Sequence, residues 1–455
     1  MTRVKGAAHS TFRALGSHNY RLYFFGQIVS VSGSWMQSVA LGWLVLQITG
    51  SGTWLGLVIA FQFLPMLVLG PMGGVVADRV DKRRFLFATQ ATSGVLAAAL
   101  GLIVLTGVVQ LWMVFAFALA LGIVNAFDMP ARQTFVFEMV GPDLLTNAVT
   151  LNSVVMNSAR IVGPAIAGVL IASVGLASCF LINGISYLAC IAALALMHVA
   201  DLVAAEPRPR EKGQLREGFR YVWGDSSLRT PLLLMAAIGT LTYEFQITLP
   251  LIAQYTFGAG ASGYGALTSA MGLGAVVGGL VAASRARPTR RKLGLAAVVF
   301  GAAVLLASVM PTFAAMVVVL PLVGAASITF ISLANTSLQL SARPEMRGRV
   351  MALYSVAFMG STPVGGPIVG WVGQAIGPRA ALVLGGVTAI VAAALAWRSL
   401  NRPAERGTEL TTEPSAAEIE RIERLSVVEA ELMDAEQLSG ELVDRDADEL
   451  MPLAS

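Results

Sequence analysis

Twelve apolar runs, each of 18 residues or more and nearly free of charge, constrain this chain more than any other feature. They lie at 22–48, 54–77, 85–107, 111–128, 147–172 and 175–199, then at 231–257, 263–283, 293–310, 313–340, 350–376 and 380–400. A bilayer core takes about 20 apolar residues per helix. Lipid offers no partner to the open edge of a sheet, and the runs lack the alternation of a transmembrane barrel. An all-α polytopic membrane protein with twelve transmembrane helices is therefore expected. Charge agrees, since 13% of the 455 residues are charged against roughly 25% in soluble domains.

Lys and Arg alternate between the connections. Arg3, Lys5, Arg13 and Arg21 precede the first run, and Arg79, Lys82, Arg83 and Arg84 follow the second. Arg132 follows the fourth, Arg285, Arg287, Arg290, Arg291 and Lys292 the eighth, and Arg343, Arg347 and Arg349 the tenth. Arg208, Arg210, Lys212, Arg216, Arg220 and Arg229 follow the sixth, and the connections after the odd-numbered runs are bare except for Arg379. The positive-inside rule then places both termini in the cytoplasm, and a multi-pass protein of the bacterial plasma (inner) membrane is expected. The first residues lack an apolar core before a cleavage site, so no signal peptide is expected.

The longest connection divides the chain. Residues 1–21 read as a cytoplasmic segment, 22–200 as a six-helix bundle, 201–230 as a central cytoplasmic loop, 231–400 as a second bundle and 401–455 as an acidic cytoplasmic tail. In the central loop "GQLREGFRYVW" places Leu215, Phe219 and Val222 on one helical face, the pattern of an amphipathic helix at a membrane surface. A plain basic linker is the alternative. In the tail Ile422, Leu425, Leu432 and Leu438 recur at helical spacing among many acids. The bundles repeat one another. "PDLLTNAVTLNS" from Pro142 returns as "PEMRGRVMALYS" from Pro344, "GPAIAG" at Gly163 as "GPIVGW" at Gly366, and "GGVVAD" at Gly73 as "GGLVAA" at Gly278. A parallel repeat of this kind is a transporter plan.

The stretch "GGVVADRVDKRRF" ends the second run. Its glycines permit close helix approach, and a carboxylate such as Asp78 is favoured facing a helix N-terminus. The sequence "GVVADRVDKR" resembles the loop 2–3 signature of the major facilitator superfamily, with Asp81 in place of its usual second glycine. The resemblance implies a cytoplasmic gate of Gly74, Asp78, Arg79, Lys82 and Arg83, with Asp78 bracing the eleventh helix near Arg349 and Val350. The second copy carries Ala283 where Asp78 stands in the first.

"ARIVGPAIAG" is similar to the antiporter signature of the same superfamily, with Ala159 and Ala167 replacing glycines. Gly163, Pro164 and Gly168, and their counterparts Gly366, Pro367 and Gly370, are expected at kinks and tight helix contacts. The segments "FDMPARQTFVFEMV", "YEFQITLP" and "PEMRGRVMALYSVAF" resemble the branch of enterobactin-exporter-like and macrolide and tetracycline drug:proton antiporters.

Among the charges within or at the ends of spans three stand out: Glu244, Arg160 and Asp128. Insertion scales set such charges at about 2.5–3.5 kcal/mol each, so they mark function by default. Low dielectric disfavours a charged carboxylate. Glu244 is the expected proton-coupling group, with Arg160 as its alternative ion-pair partner. Asp128 is read at the inner end of the fourth helix, as a brace or a second coupling group. The resemblance implies a substrate cavity lined by helices 1, 4, 7 and 10. These carry Gln27, Trp35, Gln37, Asn125, Tyr243, Gln246, Asn335 and Gln339, and helix 5 adds Asn152 and Asn157. Such a set suits an amphipathic small molecule, cationic or aromatic.

"GLGAVVGG" at Gly272 mimics a dinucleotide loop but lies inside a span, where helix packing explains it. Cys179 and Cys190 read as packing residues, and three scattered histidines form no ligand set. No cofactor, metal, nucleic-acid partner or enzyme activity is expected. The expected partners are a small-molecule substrate, protons and the bilayer, and the protein is expected to be a monomer. The leading expectation is a secondary exporter working by alternating access in exchange for protons. A lysolipid flippase or importer of the same fold is one alternative, and a membrane scaffold or sensor acting through the acidic tail is another.

Overall fold

The computed structural model describes residues 12–77, 79–203, 214–284 and 289–401. Asp78, the stretch 204–213 and the acidic tail from residue 402 lie outside the described residues, so the expectations placed on them stay there. Among the described residues there is no strand. The first half comprises α1 (His18–Thr49), α2 (Gly52–Ala77), α3 (Lys82–Leu105), α4 (Leu111–Ser173) and α5 (Leu176–Ala195). The short α6 (Gln214–Gly224) follows. The second half holds α7 (Ser226–Leu241), α8 (Phe245–Leu251), α9 (Gly260–Ser284), α10 (Arg290–Ser308), α11 (Phe313–Ser341), α12 (Arg347–Met359), α13 (Thr362–Ala375) and α14 (Pro378–Asn401). Among the described residues ten helical stretches are long and apolar enough to cross a bilayer.

Side-chain caps set several starts, each satisfying an N–H that the helix leaves free. Ser17 accepts from the Tyr20 amide, Asp225 from Ser227 and Thr312 from Ala315. Asp81 accepts from Arg84, so the third helix begins at Lys82 and takes up residues expected in the loop.

Three expected spans take another form. The fourth and fifth are joined, because the helix runs on past Asp128 and Pro130 and leaves helical geometry only at Gly141 (φ 68°, ψ −176°). That conformation is open to glycine, and Pro142 biases its predecessor away from the α region. Asp128 is therefore mid-helix, and Arg132 lies on the helix and not in a loop. At 1.5 Å per residue the 63-residue α4 measures about 95 Å, far beyond one bilayer crossing. The seventh span is broken between α7 and α8, with Glu244 at φ −81°, ψ 44°, and continues as a π-helical turn over Ile252–Thr256. The eleventh is interrupted at Gly360 and Ser361, between α12 and α13.

Burial of apolar surface drives helix association weakly in lipid, so close packing of small residues matters more. In the first half α1 packs on α4 and α5, α2 on α4, and α3 on α5; in the second, α9 packs on α11 and α10 on α14. Gly73 of α2 lies against the Ala126 carbonyl of α4, and Gly278 of α9 lies against Ala325 of α11. These two glycines are counterparts in the sequence repeat. The halves meet where α4 packs on α9 and α2 on α13. One apolar core runs through both halves, joining residues such as Leu55 and Phe117 to Ile238 and Phe300. A second core, around Tyr20, Tyr23, Leu86 and Phe135, belongs to the first half.

Candidate functional site

The seam between the halves is built from backbone held at close range. Gly56 of α2 meets the Gly366 carbonyl of α13, and Gly370 meets that of Gly52. A Cβ on Gly56 would also reach Pro367 N at 3.0 Å. Across the other contact, a Cβ on Gly265 of α9 would stand 2.6 Å from the Pro164 carbonyl, and one on Gly168 3.3 Å from Ser262. Polar contacts close the same end. Gln374 Oε1 accepts from the Ser51 hydroxyl and, at 3.2 Å, from the Thr53 amide at the start of α2. The Tyr255 hydroxyl donates to the Gly50 carbonyl at 2.8 Å. Every residue named here lies toward the end of the molecule whose connections lack Lys and Arg, apart from Arg379.

Glu244 sits at the break in the seventh span and is 4% exposed. A helix end leaves its last carbonyls without a following N–H. Two glycines cover them, Gly365 of α13 at the Thr240 carbonyl and Gly385 of α14 at that of Leu241, and the Thr242 hydroxyl donates to the Gly385 carbonyl at 2.8 Å. The Thr362 hydroxyl lies beside the Glu244 carboxylate. Glu244 Oε1 is buried without a hydrogen-bond partner and would stand 3.1 Å from a Cβ at Gly365. Tyr243 packs its ring on Phe358 at 5.2 Å and on Phe300 at 5.6 Å.

Arg160 does not pair with Glu244. Its guanidinium lies 5.0 Å from the centre of the Trp35 ring, and its Nε is buried without a partner. Gly163 brings α4 against Ser32, Trp35 and Met36 of α1, which sets that stacking.

Asp128 has the opposite environment. Its Oδ1 accepts from Thr89 Oγ1 at 2.6 Å and Gln90 Nε2 at 2.9 Å; its Oδ2 accepts from Arg132 Nη2 at 2.6 Å and Nε at 3.0 Å. Arg132 also donates to Gln27 Oε1, and Gln27 Nε2 donates to Cys190 Sγ at 3.2 Å. Gln37 accepts from Asn183 at 2.8 Å. Gln27 and Gln37 are thus buried inside the first bundle with bundle partners.

Of the expected gate residues, Lys82 pairs with Glu138 at 2.5 Å, with side chains 9% and 14% exposed. Arg83 donates from Nε to the Leu194 carbonyl at 2.7 Å, where the C-terminus of α5 favours a cation. Arg79 is exposed and Gly74 half-buried. Arg349 is held by Glu217 of α6 at 2.5 Å. The amphipathic helix splits its apolar face: Val222 is buried, while Phe219 and Trp223 stack at 4.9 Å and stay about half exposed.

Asn152, Asn157, Gln246 and Asn335 are half-buried, and Asn125 and Gln339 are exposed. Gln339 donates to Asn335 at 2.5 Å, and Asn157 to the Ser153 carbonyl at 2.8 Å. Thr89, Gln90, Ser51, Gln374, Thr362 and Gly365 escaped the sequence reading. A Gly-Gly-Pro step in "STPVGGP" is the one signal that pointed toward Gly365.

The sequence profile of the transmembrane secretion effector family matches residues 9–422, most of the chain. The chain belongs to this family of the major facilitator superfamily. Among curated relatives, the multidrug efflux pump Tap of Mycolicibacterium fortuitum is 25% identical over 79% of this chain and 90% of its own length. The enterobactin exporter of Escherichia coli is 24% identical over 79% and 86%. The staphyloferrin A transporter of Staphylococcus aureus is 23% identical over 57% of this chain, and the match spans 66% of that relative. A bacterial homologue of the lysosomal transporter Spinster, solved inward-facing and unoccupied, superposes with a TM-score of 0.67 at 15% identity, covering 84% of this chain and 97% of that one. The nucleoside transporter NupG gives 0.68 at 12% identity, covering 85% and 100%. These two show the fold alone. The family is one of transporters and not of enzymes, and the protein is a multi-pass protein of the bacterial inner membrane.

Proposed function

We propose that this protein is a secondary active exporter of a small amphipathic molecule, driven by protons and working by alternating access between its two halves. Reading α4 as two crossings and α12 with α13 as one brings the ten qualifying helices to twelve. With both termini cytoplasmic, as the distribution of Lys and Arg suggests, the sealed seam faces outward.

The observation that carries the reading is the placing of Glu244. Its unpartnered oxygen abuts Gly365, and the next residue, Gly366, meets Gly56 across the seam. One turn of α13 thus touches both the ionisable group and the contact that must part. In low dielectric, binding of a proton would remove a charge at this point, altering the packing of α13. Substrate binds from the cytoplasm while Glu244 is charged; protonation from outside favours release and return. Asp128, with each oxygen doubly hydrogen-bonded, acts as a brace in this scheme. Export is supported by the relatives named above.

The test is retention of two dyes, cationic ethidium and anionic carboxyfluorescein, in cells producing wild type or Glu244→Gln, with and without a protonophore. Wild type is expected to lower retention of at least one dye, and both the substitution and the protonophore to abolish that effect at equal protein level. Normal pumping by Glu244→Gln would remove the coupling role. Pumping insensitive to the protonophore would remove the proton.

A further inference from the structure

We infer that Arg160, stacked on Trp35, is an anion-recognition site, and that the transported molecule carries an oxyanion next to an apolar or aromatic body. The inference rests on the transporter reading above and concerns what the substrate must look like. Arg160 lies well inside a span, where an uncompensated cation is unfavourable. Such a group normally has a carboxylate partner. Among the described residues it has no carboxylate within ion-pair distance and its Nε has no hydrogen-bond partner; the Trp35 ring lies 5.0 Å from its guanidinium, and Tyr243 is the other group near enough to feel its charge. A ring face screens one side of a guanidinium and leaves its edge, where the donors point, open to a planar oxyanion.

The position suits a transported ligand. Trp35 comes from α1 and Arg160 from α4, held together by Gly163 against Ser32 and Trp35. The backbone of Arg160 faces the other half, since a Cβ on Gly272 of α9 would lie 3.1 Å from its carbonyl. A group bound here therefore sits where the halves must separate. Asp128 is fully engaged with Arg132, and Glu244 makes no ion pair with Arg160, so the protein itself offers this guanidinium no internal anion. The oxyanion could be a carboxylate of a soluble metabolite or the phosphate of a lysolipid headgroup, since both present the same paired acceptors.

Full-length protein in lipid nanodiscs would be titrated with 1-naphthoate and with its neutral isostere 1-naphthamide, and binding read by equilibrium dialysis. Naphthoate is expected to bind at least about tenfold tighter, the worth of one charge-assisted hydrogen bond. The preference should vanish in Arg160→Gln and survive, reduced, in Arg160→Lys. Lysophosphatidate is then added as competitor: strong displacement of naphthoate assigns the anion to a lipid headgroup, and weak displacement assigns it to a soluble acid, either result upholding the site. Equal binding of naphthoate and naphthamide to wild type, binding of neither, or a preference retained in Arg160→Gln overturns the inference. The wild-type comparison holds even if a variant fails to fold. Dye efflux without anion preference would strike this inference alone. Anion preference without flux of either dye would strike the transport reading instead.

Discussion

Asp128 and Glu244 are both buried carboxylates, and their surroundings assign them different work. Asp128 accepts four hydrogen bonds and pairs with Arg132, whereas Glu244 keeps one oxygen without a partner. Breaking a buried pair on one side leaves a stranded charge, which typically destabilises by about 3–5 kcal/mol, while replacing both members by apolar groups is often close to neutral. Asp128→Leu is therefore expected to lower the unfolding temperature in detergent sharply, and Asp128→Leu with Arg132→Met to recover most of it. Equal losses in the single and double variants would contradict a bracing role.

At the level of helices, a recurring device joins carbonyls without helical donors to glycines on the neighbouring helix. Proline removes the N–H that would bond the carbonyl four residues earlier. Pro130 thereby frees Ala126, which Gly73 meets, and Pro164 frees Arg160, which Gly272 meets. The break after α7 frees Thr240, which Gly365 covers. Approach this close allows weak Cα–H···O contacts. Gly365→Ala would drive a methyl into the Thr240 carbonyl, and overpacking of this kind typically destabilises by about 1–3 kcal/mol. Gly279, whose Cβ would find only Ile328 at 3.9 Å, serves as the contrast. Gly279→Ala is expected to be neutral or slightly stabilising. Similar melting temperatures for the two variants would show that the close approach is not what holds α13 to the break.

For the molecule as a whole, the decisive feature is a seal at one end of the interface between halves. Ser51 and Gln374 lie on opposite sides of it in direct contact. With Ser51→Cys and Gln374→Cys, a short bis-methanethiosulfonate reagent should link the two positions through disulfides, since they are in direct contact, and leave native Cys179 and Cys190, which are buried, unmodified. If the halves alternate, the cross-link should abolish dye efflux and reductant should restore it. Efflux that persists in fully cross-linked protein would rule out opening at this end.

Much of this organisation is written locally. The apolar lengths dictate membrane helices, because lipid leaves the backbone no other partner. The repeat around Gly73 and Gly278, the apolar face of α6 at Val222, and the burial of Glu244 were all readable from residue type and spacing. Other features depend on partners distant in the chain. Arg160 and Glu244 look like an ion pair in one dimension, yet α4 turns the first toward Trp35 and the break after Leu241 turns the second toward Gly365. Gln27 reads as a polar cavity residue until Arg132, 105 positions away, engages it. Periodicity reports which face of a helix is apolar. It does not report which carbonyl a proline has freed or which glycine will be brought to it, since that choice is made by packing between helices from different parts of the chain.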